Sequence, residues 1–251
     1  MENVMPFAAP AAISAPCANC RAMPPCLVRS LPEERREEVT QHVSAAAPIS
    51  RGAHLFRQGE PMSALYLLRA GAVKSYVDSE DGCEQIAAFQ FPSDILGFDA
   101  LSAHRHMSSA VALETVAFCT IPYDRVPALA AAVPGLWSAL MRGAADHIVD
   151  AEQHAMMLGQ RTAPARLAAF LLALSHRFAA RGCSAIEFNL PMSRQEIANY
   201  LAVAVETISR LFTELQRRGA LEVDRRFVRI RKMALLESMA SEGQTSRATY
   251  A

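Results

Sequence analysis

Between Ile49 and Pro122, apolar residues come in short runs separated by turn formers, as in "ALYLLRAGAVKSYVDSEDG" and "SSAVALETVAFCTIP". Gly52, Gly59, Gly71, Gly82 and Gly97 punctuate these runs. Short strands broken at this rhythm predict an antiparallel barrel or jelly roll. The period then changes. Within 134–160, a helix opening near Pro134, the residues Met141, Ala144, Ile148, Ala151, Ala155 and Leu158 form a heptad stripe. Half of that stripe is alanine, so each layer buries little area and a dimer formed there is weak and adjustable. Asp146, Asp150 and Glu152 are close by in sequence, and like charges across such a seam oppose association. Upstream, Ser30 with Glu33 three residues on has the spacing of a capping box for a short surface helix. Downstream, 163–182 reads as a further helix.

The segment "MSRQEIANYLAVAVETISRLFTELQRRGAL" (192–221) holds two short helical patterns with a break at Ala202–Ala204. Ser193 caps the first, with Glu196 in the matching position, and Ile197, Ala198 and Leu201 share its apolar face. The second turns Val205, Ile208, Leu211 and Leu215 inward. Two such helices about a tight turn predict a helix-turn-helix. Glu206, Ser209 and Arg210 stay off the apolar face, and their spacing puts them on one exposed patch. The chemistry of that patch suits base edges. Arg210 has two donors for a guanine, Glu206 accepts from a cytosine amino group, and Ser209 serves either polarity. Arg217, Arg218, Arg225 and Arg226 flank the helix where phosphates would lie, and "ALEVDRRFVRIR" (220–231) reads as a two-stranded wing. The plainer alternative is a helical hairpin with a surface Glu–Arg pair. Charge favours the first reading. Although the whole chain is neutral, residues 161–251 carry 14 Lys and Arg against 8 Asp and Glu, and residues 1–160 carry 11 against 17. A basic back half suits a polyanionic partner.

No apolar run reaches the ~18 residues of a membrane span, and "MENVMPFAAPAAISAP" has no basic region ahead of its apolar residues. A cytoplasmic protein is expected. Six cysteines in that reducing compartment point to metal binding or redox sensing. Three of them, Cys17, Cys20 and Cys26, stand in "APCANCRAMPPCL" with C-x2-C-x5-C spacing, which by itself suits zinc, an iron–sulfur cluster or thiol exchange. Cys83, Cys119 and Cys183 are the candidates for a fourth ligand. Leu27 and Val28 are placed to shield one side of such a site, and Arg21 to set a cation beside it. No phosphate loop, nucleophile elbow or paired catalytic carboxylates occur, so no enzyme is expected.

From about residue 17 to 235 the layout resembles the cyclic-AMP-receptor/FNR superfamily of bacterial transcription regulators, and E-x-x-S-R at 206–210 resembles its FNR-type variant. The resemblance implies an α+β chain with a β-roll (jelly-roll-like) sensor domain, a long dimerisation helix and a C-terminal winged helix-turn-helix. On this layout 1–29 is a flexible segment carrying the cysteines, 30–133 the sensor, 134–160 the dimerisation helix, 161–240 the DNA-binding domain and 241–251 a tail. The resemblance also implies a homodimer reading a palindrome with TTGAT-like half-sites, with Thr207 among the DNA-facing residues. Cys119, in a matching C-x-I-P context, becomes the fourth ligand, so Cys17, Cys20, Cys26 and Cys119 would hold an oxygen-sensing 4Fe–4S cluster. A zinc or thiol–disulfide regulator of the same fold is the alternative. The loop "DSEDGCEQ" (78–85), with Ser79, Glu80, Asp81, Gly82 and Glu84, would touch RNA polymerase. Cyclic nucleotide is not expected: Phe98 and Asp99 follow Gly97, and Arg105 lies out of register for a phosphate that needs a paired cation. The chain departs from the pattern at Ala202, where the family usually has glycine. If that residue is left-handed, alanine costs about 1 kcal/mol.

Overall fold

The structure is a computed structural model, which describes Cys17, Cys20 and residues 26–79, 81–160 and 162–242. It divides into two compact units. One contains the chain up to Ser75 together with Phe89–Ala144; the other contains Tyr76–Ala88 and the chain from Ala145 onward. Among the described residues no helix is long and apolar enough to cross a membrane.

After α1 (Glu33–Thr40), eight short strands follow among the described residues: β1 (Ser44–Ala45), β2 (His54–Phe56), β3 (Ala64–Ala70), β4 (Val73–Asp78), β5 (Glu84–Gln90), β6 (Ile95–Leu96), β7 (Ser109–Ala112) and β8 (Ala117–Pro122). They form two four-stranded sheets, ordered β1-β8-β3-β6 and β2-β7-β4-β5. This is the β-roll expected from the strand rhythm. The apolar run of β3 is explained by burial on both faces. Leu65 and Leu67 pack with Cys119 and Ile121 on one side, while Tyr66 and Leu68 pack with Phe56 and Phe118 on the other. Gly71 turns the chain at the end of β3 with φ +83, and a Cβ there would strike the Thr115 carbonyl.

Two boundaries differ from the sequence expectation. The Ser30 hydroxyl donates to the Leu27 carbonyl at 2.7 Å, and Pro32, which offers no side-chain cap, precedes α1. No capping box forms there, because residues 27–30 make a turn of their own. The long helix α3 (Leu136–Gln160), preceded by α2 (Val126–Ala132), starts only after a turn at Gly135 with φ +88, two residues past Pro134.

The second unit continues with α4 (Ala163–Ala180), β9 (Glu187–Asn189), α5 (Arg194–Tyr200), α6 (Val205–Arg217), β10 (Leu221–Asp224), β11 (Phe227–Ile230) and α7 (Met233–Glu242). The capping box at α5 is complete: Glu196 N–H donates to Ser193 Oγ at 3.2 Å, and Ser193 N–H donates to Glu196 Oε2 at 2.7 Å. Ile197, Ala198 and Leu201 are buried as expected. The inward face of α6 is Ile208, Phe212 and Leu215, whereas Val205 is exposed and Leu211 only half-buried. Steps of four and three keep those buried residues in phase with the helix, and the Arg194 guanidinium covers the Phe212 ring at 3.2 Å. Strands β10 and β11 form the predicted wing, and β9 completes a three-stranded sheet.

Ala202 sits at φ +50 between α5 and α6, so its left-handed conformation is real. Ala202→Gly should therefore stabilise the protein by about 1 kcal/mol, raising the thermal midpoint by ~3 °C. Differential scanning calorimetry of the two proteins checks this; a lower midpoint for the glycine variant would show that the turn is not strained.

Candidate cysteine centre and DNA-reading helix

Cys20 N–H donates to the Cys17 carbonyl at 3.2 Å. Cys26 opens the next turn, where its carbonyl accepts from Ser30 N–H at 3.0 Å. Arg36 clamps that turn from below, donating to the Leu31 and Arg29 carbonyls. Leu27 and Val28 are buried in the apolar core that Cys26 packs against. Cys119 is held rigidly inside β8, opposite Ala45 on β1 and Leu67 on β3. Cys17 and Cys26 pack against the same apolar cluster that buries Cys119. All four cysteines line one concave pocket, whose remaining wall is Val28, Arg29, Val43, Leu67, Leu68 and Arg69.

Burial pushes the Cys119 thiol up to about 11; Arg69 works against this, and the other three cysteines add to it. Burial also works to lower the Arg69 pKa, but Cys119 and Cys20, which face it, raise it on balance. Arg69 was missed in the sequence because nothing in "YLLRAG" marks an arginine that faces the thiols. Arg21, the cation that was expected there, lies outside the described residues. Among the described residues no three His, Cys, Asp or Glu side chains converge on a point that one ion would fill. The four sulfurs stand round a pocket instead, and sets of four cysteine thiolates, one for each iron, are the usual anchors of 4Fe–4S clusters. In its donor set the pocket fits such a group. Cys83 and Cys183 are exposed and line no part of it.

On α6, Glu206, Ser209 and Arg210 are exposed together and Thr207 is half-buried. The Ser209 hydroxyl donates back to the Val205 carbonyl at 3.0 Å, which leaves its lone pairs outward. Of the flanking arginines, Arg225 occupies the wing turn at φ +53. Arg226 donates to the Pro191 carbonyl at 3.1 Å, and Arg217 holds Glu214 through two 2.9 Å hydrogen bonds. Arg218 reaches the Met239 sulfur at 3.6 Å. All five arginines, Arg210 included, are exposed; Arg217, Arg218 and Arg226 also have partners within the protein.

Along α3, Met141, Ile148, Ala151 and Ala155 are exposed, and Ala144 and Leu158 half-buried. Trp137, 57% exposed and four residues before Met141, extends the stripe beyond the residues named from sequence. Asp150 approaches Arg177 of its own unit at 3.9 Å, and Asp146 lies one turn earlier on that same side. Asp146 and Asp150 thus lie on the side of α3 away from the stripe, and of the three acids only Glu152 flanks it. Near the end of α3, His154 stacks on Tyr200 of α5 at 3.9 Å and hydrogen-bonds its carbonyl at 2.8 Å. Arg166 donates to the carbonyls of Leu158, Leu201 and Ala202 at 2.6, 2.9 and 3.3 Å. These contacts fasten the last turns of α3 to the turn that orients α6.

In the loop between β4 and β5, Ser79, Asp81 and Gly82 are exposed, and Glu84, the first residue of β5, is half-buried; Glu80 lies outside the described residues. The side-chain amide of Asn199 docks on this hairpin as a strand would. It accepts from Ile86 N–H and donates to the Glu84 carbonyl, both at 2.7 Å.

Residues 165–239 match the Crp-like helix-turn-helix domain, and residues 48–132 match the cyclic nucleotide-binding domain. The chain is 38% identical over 230 residues to the anaerobic regulatory protein of Pasteurella multocida, covering 92% of this chain and 84% of the relative. It is 41% identical over 214 residues to the transcriptional activator protein Anr of Pseudomonas protegens, covering 85% and 88%. The chain belongs to the CRP/FNR family of transcription regulators. Within that family it is an FNR/Anr-type regulator, and its relatives are not enzymes. The solved structure of FixK2 from Bradyrhizobium japonicum has the same fold, with a TM-score of 0.72 at 28% identity, covering 82% of this chain and 99% of that one. In this FNR-type chain, α5, α6 and the wing are thus the DNA-binding element.

Proposed function

We propose that this protein is an oxygen-responsive regulator of anaerobic genes, in which Cys17, Cys20, Cys26 and Cys119 hold a 4Fe–4S cluster. The observation that carries the reading is the single pocket on which three N-terminal cysteines meet a cysteine fixed in β8. When bound, a 4Fe–4S cluster supplies an oxygen-labile cross-link between the cysteine-bearing segment and that strand.

The chain's own residues connect this tie to dimerisation. Leu27, Val28 and Leu31, which follow Cys26, share one core cluster with Leu136, Ala139 and Leu140 of α3. Holding the segment in place therefore holds the first turns of the helix whose outer face carries Trp137, Met141 and Ile148. That face pairs with a second copy of the chain, and Arg166 and His154 pass the resulting helix position to the reading head. Two α6 helices then enter major grooves about one turn of DNA apart, on a palindrome with TTGAT-like half-sites. Ser79, Asp81, Gly82 and Glu84 form an acidic surface for RNA polymerase, held by Asn199.

Cyclic nucleotide has no part in this scheme. Where a phosphate would need a cation, the Asp99 carboxylate accepts from Met107 N–H, Ser108 N–H and Ser108 Oγ, and buried His106 faces it at 3.3 Å. Burial works to raise the Asp99 pKa, yet His106 and Ser108 hold it below the usual range. A second anion at that place would meet a fixed negative charge.

Two measurements test the reading. Protein purified without oxygen should show broad visible absorption with about four irons and four sulfides per chain, and it should bleach in air. Colourless protein containing zinc would replace the cluster by a structural metal. Ile148→Glu should weaken the dimer by about a hundredfold, because it buries one carboxylate against another at the seam. Sedimentation equilibrium reads this, and an unchanged dimer would place the interface elsewhere.

A further inference from the structure

We propose that Arg69 is the fixed counter-charge of the cysteine centre, a positioning residue that retains the anionic cluster and sets how readily it is lost. The inference rests on reading the four cysteines as a cluster site.

Its geometry begins in the sheet. Strands β3 and β8 pair in regular register from Ala64↔Pro122 to Leu68↔Phe118, and the next pair is Ala70↔Ala117. Arg69 is the extra residue of a β-bulge, the irregularity that re-aims a side chain beside a functional site. Its neighbour two residues back, Leu67, pairs directly with Cys119. The re-aimed guanidinium lines the cysteine pocket and faces the sulfurs of Cys119 and Cys20. Its Nε is buried with no hydrogen-bond partner, and among the described residues no carboxylate pairs with it. Arg69 is half-buried as a residue, but with its Nε enclosed beside an apolar wall of Val28, Val43, Leu67 and Leu68 its charge is best met by something negative in the pocket. Four thiolates outweigh the positive charge of a 4Fe–4S core, so the bound group is an anion of the kind this guanidinium lacks. Arg29 lines the same pocket but is exposed and donates to the Cys20 carbonyl at 3.5 Å. Water screens it, and it serves as the internal control.

The test uses the full-length protein, purified without oxygen and challenged first with a ferrous-iron chelator and then with air. Visible absorbance and released iron are followed with time. Arg69→Gln should lose the cluster about tenfold faster than the unmodified protein in the anaerobic chelator step, and its reduction potential should move negative. Arg69→Lys, which keeps the charge, should stay within about threefold of the unmodified rate. Arg29→Gln should match the unmodified protein. If R69Q fails to fold, Arg69→Met supplies the neutral side chain of similar length. Equal chelation rates and potentials for R69Q and unmodified protein would overturn the proposal, as would an R69K that behaves like R69Q. Unmodified protein that carries no iron would instead remove the cluster reading on which the proposal stands.

Discussion

Replacing Cys119 by Ser yields a protein that is colourless after anaerobic purification, holds less than about one iron per chain and binds operator DNA at least a hundredfold more weakly. Cys119 has this weight because it alone of the four proposed ligands sits in a sheet, opposite Ala45 and Leu67. The other three belong to a segment that has to be brought to it. Without the strand-borne thiolate the segment has no rigid partner, and Leu27, Val28 and Leu31 lose the constraint that seats them against Leu136 and Leu140. A serine hydroxyl buried without a partner costs about 1–3 kcal/mol of stability, so thermal unfolding of the apo forms must be compared alongside. Cys83→Ser and Cys183→Ser, at exposed positions away from the pocket, should change neither iron nor affinity. Full iron in the Cys119 variant would exclude it as a ligand.

The second large effect lies on the reading helix. Arg210→Ala should cost about 1–3 kcal/mol of operator binding, up to a hundredfold, and should relax discrimination at the guanine of the half-site. Arg225→Ala, at the tip of the wing turn, should weaken all sequences alike and reduce the slope of log affinity against log salt by about one phosphate contact. Titrations against an intact and a guanine-substituted half-site, each at several salt concentrations, separate the two. If Arg210→Ala reproduced the uniform, salt-dependent loss of Arg225→Ala, it would be a phosphate contact and some other α6 residue would read the base.

How far each feature was legible depended on whether its cause is local. The α5 capping box is written in Ser193 and Glu196 because both hydrogen bonds close within one turn. The same spacing at Ser30 and Glu33 misled. Pro32 stands between them, and the chain from Leu27 turns on itself, which the spacing does not register. On α6 the aliphatic residues at steps of three, three and four favoured Val205 and Leu211. Tertiary packing instead buries Phe212, under an arginine supplied by α5.

The sequence by itself determined the strand rhythm of the roll, the heptad stripe of α3 and the exposed triad of α6. Each follows from a periodicity or a backbone preference acting over a few residues. Only the tertiary structure decided which side of α3 its aspartates occupy, that Trp137 lengthens the exposed stripe, that Asn199 grips the β4–β5 hairpin, and that Arg69 stands among the thiols. Those depend on pairs 27 to 115 residues apart in the chain, such as Asp150–Arg177 and Asn199–Glu84. The β3–β8 bulge that turns Arg69 exists only once two strands some fifty residues apart have paired. A side chain's direction there is set by register, and register belongs to the sheet rather than to either strand.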